Sequence, residues 1–200
     1  MRAPGLPAST MLVLASTSQY RRELLARLRL EFVAFAPHLN EAPLPGENAA
    51  GTALRLAQAK ARAAVAAFPD ALIIGSDQVA ELDGLRLDKP GGRERARRQL
   101  ERVSGREVVF HTAVCVLQAH SGWAQDRIVS THVRFRALSQ SQISTYLDRE
   151  HPYDCAGSAK SEGLGIALLE SIRGDDPTAL IGLPLIAVVS MLRDAGVSVL

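Results

Sequence analysis

An acidic residue stands directly after a short apolar run near the middle of the chain. The run Leu72-Ile73-Ile74 leads into Gly75-Ser76-Asp77-Gln78. An apolar run closed by a glycine predicts a buried strand that ends in a tight turn. An acid just beyond such a strand needs a partner, because an unpaired buried charge is costly, and ligands of open α/β sheets gather at strand ends. Asp77 is therefore the first candidate for chemistry, the alternative being that it only caps the turn.

Hydroxyl and arginine side chains stand together at the start of a predicted helix. Residues 11–15 predict a first buried strand, and helical spacing begins after Ser18, a favourable N-cap residue. Arg21 and Arg22 then fall in the first turn, where the helix macrodipole favours acids over cations. Hydroxyls, backbone N–H groups and two guanidinium groups at one helix start predict an anion site, most naturally for phosphate. The alternative is that both arginines point to solvent and Glu23 offsets them.

Two more charged residues are placed by a helix and a loop. Residues 47–68 show helical spacing, which puts the stem of Lys60 at the edge of the apolar stripe with its ammonium able to extend into a cleft. Glu41 lies in a loop over residues 37–48 that contains three prolines. A single carboxylate in a loop is either solvated or a metal ligand, and the pattern leaves both open.

The second half of the chain predicts two hairpins and more helices. Asp83-Gly84 is a strong hairpin signal, and Lys89 lies in the loop that follows. Residues 93–103 predict a helix with five arginines, but glutamates interleave with them and no aromatic stacking partner is present, so a solvated face is favoured over a nucleic-acid site. Residues 107–118 and 123–135 predict a long antiparallel hairpin, and Ser139 with Gln142 predicts a capping box at the start of a helix. Residues 154–165 form a glycine-rich polar segment typical of binding loops, and residues 166–172 predict a strand.

Composition limits the classes of protein to consider. A chain of 200 residues with a net charge of +2 has no overall charge bias toward nucleic acid. The two cysteines fit a reduced compartment, which predicts a cytoplasmic location. No apolar run approaches the ~18 residues that a membrane helix requires. We expect residues 1–10 to be a loose leader and residues 11–200 to form one domain.

Several stretches, in order and at characteristic spacing over residues 11–195, together resemble the Maf family of nucleoside triphosphate pyrophosphatases, and within it the YceF-like branch associated with 7-methyl-GTP. One such motif alone would be a weak signal, whereas the ordered set is specific. The stretches are Leu14-Ala15-Ser16-Thr17-Ser18, Arg21-Arg22-Glu23-Leu24-Leu25, Asn40-Glu41, Ala57-Gln58-Ala59-Lys60-Ala61, Ile74-Gly75-Ser76-Asp77-Gln78-Val79, Lys89-Pro90, Ala156-Gly157-Ser158, Lys160-Ser161-Glu162-Gly163 and Gly182-Leu183-Pro184.

The resemblance implies a fold and an activity. The implied fold is a Maf/ITPase-like α/β fold, an elongated mixed β-sheet with two lobes around a central substrate cleft, usually in a homodimer. The implied reaction is hydrolysis of a nucleoside triphosphate, here 7-methyl-GTP or a related modified guanine nucleotide, to the monophosphate and pyrophosphate. A divalent cation, Mg²⁺, Mn²⁺ or Co²⁺, is the implied cofactor. Neither nucleic acid nor a membrane is an expected partner.

The resemblance also implies roles for single residues. Asp77 matches the family's catalytic acid, either as the base that accepts a proton or as a metal ligand, and Glu41 matches an acidic position near the metal. Other positions match groups that face the phosphates or that vary with base preference. The phosphate-facing set is Ser16, Arg21, Arg22, Lys60 and Lys89, and the specificity set is Tyr20, Gln78 and Glu162.

The chemistry of two specificity residues fits a modified guanine. A carboxylate at Glu162 can accept hydrogen bonds from the N1–H and the exocyclic amine of guanine, but it offers no donor to a uracil or thymine carbonyl. Methylation at N7 makes the ring cationic, so stacking on Tyr20 would add a cation–π attraction. The alternative is that Glu162 is solvated in a mobile loop and Tyr20 lies on the helix surface.

Two other functions compete with this one. The first is a sibling enzyme for dTTP and UTP, in which Arg, Thr and Gln are expected at the positions of Tyr20, Gln78 and Glu162. The second is a regulator of cell division that binds nucleotides without useful turnover, which would need the basic residues but not Asp77. A serine hydrolase and a zinc site are disfavoured, because the sequence has no nucleophile elbow and no zinc-ligand spacing.

Overall fold

The computed structural model describes residues 10–200, so residues 1–9 of the predicted leader lie outside the described part. The helices and strands follow one another along the chain in the order that the sequence pattern predicts. They are β1 (Leu12–Ala15), α1 (Gln19–Ala26), β2 (Val33–Phe35), α2 (Ala49–Ala63), β3 (Leu72–Leu82), β4 (Leu85–Leu87), α3 (Arg93–Val103), β5 (Glu107–Gln118), β6 (Trp123–Phe135), α4 (Gln140–Glu150), β7 (Leu169–Arg173) and α5 (Leu185–Asp194).

The seven strands found in residues 10–200 form one mixed sheet in the order β2-β1-β3-β5-β6-β7, with β4 paired to β3. β1 runs parallel to both β2 and β3, whereas β3–β4 and β6–β7 are antiparallel. The α/β class and the mixed sheet predicted from the sequence are confirmed. No helix in residues 10–200 is long and apolar enough to cross a membrane.

The chain divides into two compact units, each built from separate segments. The first comprises residues up to Asp77 together with Thr112–Val129 and Asp176–Leu200, and the second comprises Gln78–His111 and Ser130–Asp175. β3, β5 and β6 each contribute residues to both units. Neither unit is a continuous stretch of sequence, so no linker in the sequence marks the division between them.

The core of the first unit lies between β1, β3 and β5 and the two helices α1 and α5. The apolar stripe of α5 packs there together with Leu24 and Leu25 of α1. Burying side chains of this size stabilises the fold by about 1.5–3 kcal/mol each. The main members are Leu12, Leu14, Leu24, Leu25, Leu72, Ile74, Val114, Val116, Leu183, Val188, Met191 and Leu192.

In the second unit, α3 and α4 bury one face each. Leu100 and Val103 of α3 are fully buried, as are Ile143 and Leu147 of α4. Three of the arginines of α3 form ion pairs with acids, for example Arg97 with Glu94 at 2.7 Å. The side chains on this face of the helix are largely exposed, so the prediction of a solvated helix face is confirmed.

Local signals placed several element ends correctly. Asp83 and Gly84 both have positive φ, which a type I′ hairpin turn requires, and they join β3 to β4. Ser139 and Gln142 form the predicted capping box at the start of α4. Other ends were wrong. α2 ends at Ala63 rather than residue 68, and the strand predicted over residues 166–172 is β7, which begins only at Leu169.

The prediction of a turn at Gly75 was also wrong. β3 continues without a break through Gly75 and Asp77 to Leu82. A Cβ on Gly75 would lie 2.2 Å from the carbonyl oxygen of Ala57 and 2.6 Å from the backbone nitrogen of Ala61. The glycine is therefore needed for the close approach of α2 to the strand, and Asp77 lies within the strand rather than beyond its end.

We expect Gly75→Ala to destabilise the protein by about 1–3 kcal/mol, because the added methyl group overpacks the contact between β3 and the backbone of α2. The change should lower the thermal unfolding temperature. Gly92→Ala is the control for an added methyl group, since open space surrounds that glycine, and its only expected cost is that Ala is a poorer N-cap for α3. Unfolding temperatures that are equal for Gly75→Ala and the control would contradict this role.

Candidate active site

The site forms where two carboxylates meet one ammonium group. Lys60 Nζ lies 2.6 Å from Asp77 Oδ1 and 2.8 Å from Glu41 Oε1. The side chains of Lys60 and Asp77 are only 7% and 9% exposed, whereas that of Glu41 is 54% exposed. The pair between Lys60 and Asp77 is thus largely desolvated, and Glu41 closes it on the solvent side.

The close packing of α2 on β3 explains how Lys60 reaches Asp77. Residues two apart in a strand share a face, so Asp77 lies on the same side of β3 as Gly75, over which Ala57 and Ala61 pack. Lys60 was predicted at the edge of the apolar stripe, but it is buried within that face of α2. Burial of its stem brings the ammonium to Asp77.

Arg21 is held beside this cluster by a main-chain carbonyl. Its Nε donates to the carbonyl oxygen of Gly182 at 2.8 Å, and the same oxygen accepts from Ser76 Oγ at 3.1 Å. Burial lowers the pKa of the Arg21 guanidinium, while the negative charges of Asp77 and Glu41 oppose that shift. Arg21 stays charged under all ordinary conditions.

The start of α1 is built as the sequence predicts. Ser18 is the N-cap and accepts a hydrogen bond from the backbone N–H of Arg21 at 3.3 Å, while buried Ser16 accepts from the backbone N–H of Ser18 at 3.1 Å. Tyr20 is half-buried and Arg22 is exposed in the same turn. The loop that carries Ser16 follows the last residue pair of β1 and β3, which is Ala15 with Gly75. This parallel register brings Ser16 to the part of β3 that carries Asp77.

An arginine that the sequence did not single out fixes the loop that carries Glu41. Arg55 on α2 binds both carboxylate oxygens of Glu47, at 2.7 and 2.8 Å, and donates to the carbonyl oxygen of Ala42 at 3.0 Å. Glu47 also accepts from Thr52 Oγ1 at 2.9 Å. These contacts of Arg55 with Glu47 and Ala42, here called the clamp, fix the residue next to Glu41. A glutamate just before a helix N-cap, with an arginine two turns later, is the one signal that could have indicated it.

The clamp has a consequence for stability at acid pH. Hydrogen bonds from Arg55 are the largest cause that lowers the pKa of Glu47 to about 2. A lowered folded-state pKa means that the stabilisation is complete above the unfolded value of 4.5 and is lost as the pH falls toward 2. We expect the difference in unfolding free energy between wild type and Glu47→Gln to be constant at neutral pH and to shrink between pH 4.5 and 3. Denaturant titrations at fixed pH values would measure it, and a difference that does not change with pH would contradict the assignment.

The donor set fits a hard divalent cation. The formal charges of Arg21, Lys60, Asp77 and Glu41 cancel, so a polyanion bound here would need further positive charge. Asp77 and Glu41 supply carboxylate oxygens at one place, and Mg²⁺ is commonly held by one or two carboxylates plus substrate phosphates and water. Within residues 10–200, no group of three or more His, Cys, Asp or Glu side chains could hold a metal.

The remaining predicted residues belong to the second unit. Gln78 follows Asp77 in β3 and is half-buried, and Lys89 is exposed in the loop before α3. Glu162 is exposed in the glycine-rich loop, where Ser161 Oγ donates to its Oε2 at 3.4 Å. Ser16, Arg21, Lys60, Asp77 and Glu41 all belong to the first unit.

Comparison with known proteins supplies independent information. The family model described as "Maf-like protein" matches residues 11–195. The 7-methyl-GTP pyrophosphatase of Thiobacillus denitrificans is 58% identical over 192 residues, covering 96% of each chain. The proteins of the same name from Methylobacillus flagellatus and Albidiferax ferrireducens are 57% and 55% identical, over 94% and 97% of this chain and 98% of each relative. A solved HAM1 protein from Coxiella burnetii is 17% identical, with a TM-score of 0.46 over 63% of this chain and 73% of its own.

Proposed function

Because the chain belongs to the family of Maf-like proteins, we propose that it is a nucleoside triphosphate pyrophosphatase that hydrolyses 7-methyl-GTP to 7-methyl-GMP and pyrophosphate. Relatives with this activity in their names are 55–58% identical over nearly the whole chain. The observation that carries the proposal is the buried pair of Lys60 and Asp77 beside Arg21 and Glu41. This cluster combines phosphate-binding cations with carboxylates that can accept a proton.

In this reaction a water molecule attacks the α-phosphorus, and the bond from that phosphorus to the oxygen bridging to the β-phosphorus breaks. The water proton must leave as the new P–O bond forms, and Asp77 is the buried carboxylate available to accept it or to hold the metal ion. Arg21 has its Nε engaged by Gly182, so its terminal nitrogens would be left to bind phosphate oxygens. Positioning and charge stabilisation are what phosphoryl-type transfer mainly requires.

A divalent cation is part of the proposal. Asp77 and Glu41 would hold it, with phosphate oxygens and water as the other ligands. When bound, it would balance the charge of the triphosphate and lower the pKa of a coordinated water. Lys60 would keep the two carboxylates close together, since its ammonium contacts both. Mg²⁺, Mn²⁺ and Co²⁺ are the candidates.

Base recognition is assigned to Glu162 and Tyr20, with Gln78 as a further specificity position. The exposed carboxylate of Glu162 suits the N1–H and amino edge of guanine. The half-buried ring of Tyr20 suits a cationic base. Lys89 and Arg22 are exposed, so both can contact a phosphate chain without first breaking a buried ion pair.

The test is a substrate panel with purified wild-type protein. Pyrophosphate release is measured for 7-methyl-GTP, GTP, UTP and dTTP with Mg²⁺, Mn²⁺ and Co²⁺ in turn. The proposal predicts the highest kcat/KM for 7-methyl-GTP and dependence on an added metal. Highest activity on UTP or dTTP would favour the sibling enzyme, and binding without pyrophosphate release would favour a regulator.

We also propose that the protein is a homodimer in the cytoplasm, as the family resemblance implies. Two cysteines in reduced form are consistent with that location, since Cys115 is buried and no disulfide joins it to Cys155. Light scattering after size-exclusion chromatography would test the dimer, and a mass near that of a single 21.5 kDa chain would contradict it.

A further inference from the structure

We propose that Glu150 is a positioning residue for base recognition: it holds the turn that carries Glu162 and engages Lys160, so that the charge of Glu162 is left for a cationic purine. The inference rests on the proposed function. It concerns α4 and the glycine-rich loop, which lie in the second unit.

The turn around Glu162 is tied to α4 on both sides. Before it, the backbone N–H of Lys160 donates to the hydroxyl of Tyr146 at 3.0 Å. After it, the backbone N–H of Leu164 donates to Glu150 Oε2 at 2.7 Å. Tyr146 and Glu150 are four residues apart, so they lie on one face of the helix. Glu162 is thus presented at the tip of a turn with two fixed ends.

The glycines of the loop are required by this arrangement. A Cβ on Gly163 would lie 2.9 Å from both carboxylate oxygens of Glu150, and one on Gly165 would lie 2.4 Å from the carbonyl oxygen of Lys160. A second interaction closes the turn, because the backbone N–H of Gly163 donates to the carbonyl oxygen of Lys160 at 3.0 Å. The chain therefore packs tightly against Glu150 while leaving the side chain of Glu162 exposed.

Lys160 is the reason why Glu150 must be charged. Its ammonium lies 3.2 Å from Glu150 Oε1, and the side chain of Glu150 is only 15% exposed. Glu150 is the main cause of the raised pKa of Lys160, and the charge of Glu162 adds to it. Lys160 thus lies within electrostatic reach of both carboxylates. Without the charge of Glu150, the Lys160 ammonium would be attracted mainly to Glu162 and would repel a cationic base.

This division of roles predicts a specific effect on substrate choice. Gln at position 150 keeps an oxygen that can accept from the Leu164 N–H but loses the counter-charge of Lys160. A neutral base such as guanine is affected less than a base with a positive charge. We therefore expect Glu150→Gln to lower the ratio of kcat/KM for 7-methyl-GTP to that for GTP by about fivefold, the size of one charge interaction at short range in a solvated site.

The decisive experiment combines this variant with removal of the cation. Lys160→Met in the Glu150→Gln background should restore the ratio to within about twofold of wild type, because no charge then competes for Glu162. If Glu150 only held the loop in place, removing the charge of Lys160 would not restore the ratio. Asp148→Asn is the matched control, since that exposed acid on the same helix pairs with Arg93 instead, and its ratio should equal that of wild type.

Calorimetry with 7-methyl-GMP and GMP provides a readout apart from turnover, and the ratio of the two dissociation constants should change in the same order among the variants. An unchanged ratio in Glu150→Gln, a double variant that is not rescued, or an equal fall in Asp148→Asn would overturn the inference. Wild type alone tests the proposed function: if it shows no preference for 7-methyl-GTP, that function fails and the inference falls with it. A wild-type preference with unresponsive variants overturns only the role of Glu150.

Discussion

Replacing Asp77 by Asn should reduce kcat for pyrophosphate release by at least about 100-fold while the protein stays folded. The carboxylate is nearly buried and lies 2.6 Å from the ammonium of Lys60. Asn has the same shape and still offers an oxygen to Lys60, but it can neither accept a proton nor serve as an anionic metal ligand. The unfolding temperature should fall modestly, because Lys60 keeps Glu41 as a counter-charge.

The measurement is single-substrate kinetics on 7-methyl-GTP with thermal unfolding of the same preparations. Asp126→Asn is the control, since Asp126 is an exposed acid of the same unit that accepts from Gln58 at 2.8 Å. Mn²⁺ affinity, measured by calorimetry, separates the two roles left open for Asp77. A metal ligand predicts a lower Mn²⁺ affinity in Asp77→Asn, and a base predicts an unchanged one. Turnover near that of wild type would remove Asp77 from the mechanism.

The second large effect concerns base preference. We expect Glu162→Gln to lose the preference for guanine nucleotides and to gain activity on UTP and dTTP. A carboxylate facing a pyrimidine carbonyl is repulsive and unpaired, which costs about 1–3 kcal/mol. Gln supplies a donor there, so the ratio of kcat/KM for GTP to that for UTP should fall by between about fivefold and 100-fold.

Tyr20→Ala should change a different preference, that for 7-methyl-GTP over GTP. Only the methylated ring is cationic, so loss of the tyrosine face should narrow the gap between 7-methyl-GTP and GTP by roughly 0.5–2 kcal/mol. The ranking of GTP against UTP should not change, because Glu162 is intact. Measuring kcat/KM for the four nucleotides on wild type and both variants tests both assignments. If Glu162→Gln leaves the ranking of the four nucleotides as it is, the base-recognition roles are wrong even though the enzyme is a pyrophosphatase.

Much of the secondary structure could be predicted from the sequence, because neighbouring residues determine it. Three local features depend only on a few neighbouring residues. They are the positive φ angles of the turn at Asp83 and Gly84, the hydroxyl of Ser18 at a helix start, and the capping box at Ser139. The same is true of Arg97 and Arg98 in α3, which pair with Glu94 on their own helix. These features do not depend on what packs against them.

The chemical character of the site could also be predicted in part. Motifs spread along the chain indicated Asp77, Lys60, Arg21, Ser16 and Glu41, and the fold places these residues in the same unit. Residue type and order were enough to nominate them, since cations and carboxylates are needed for phosphate chemistry wherever they lie.

Tertiary structure alone decided how the site is held. The sequence predicted that Gly75 ends a strand. In the fold, its lack of a side chain makes room for the backbone of α2, which lies 14 to 18 positions earlier in the sequence. Lys60 looked like an edge residue until that contact buried it against Asp77. Arg55 and Glu150 were not predicted from the sequence, yet each fixes a loop through a carbonyl oxygen or a backbone N–H. Such roles depend on which segments meet in space, and a pattern of neighbours in sequence contains no information on distances between remote segments.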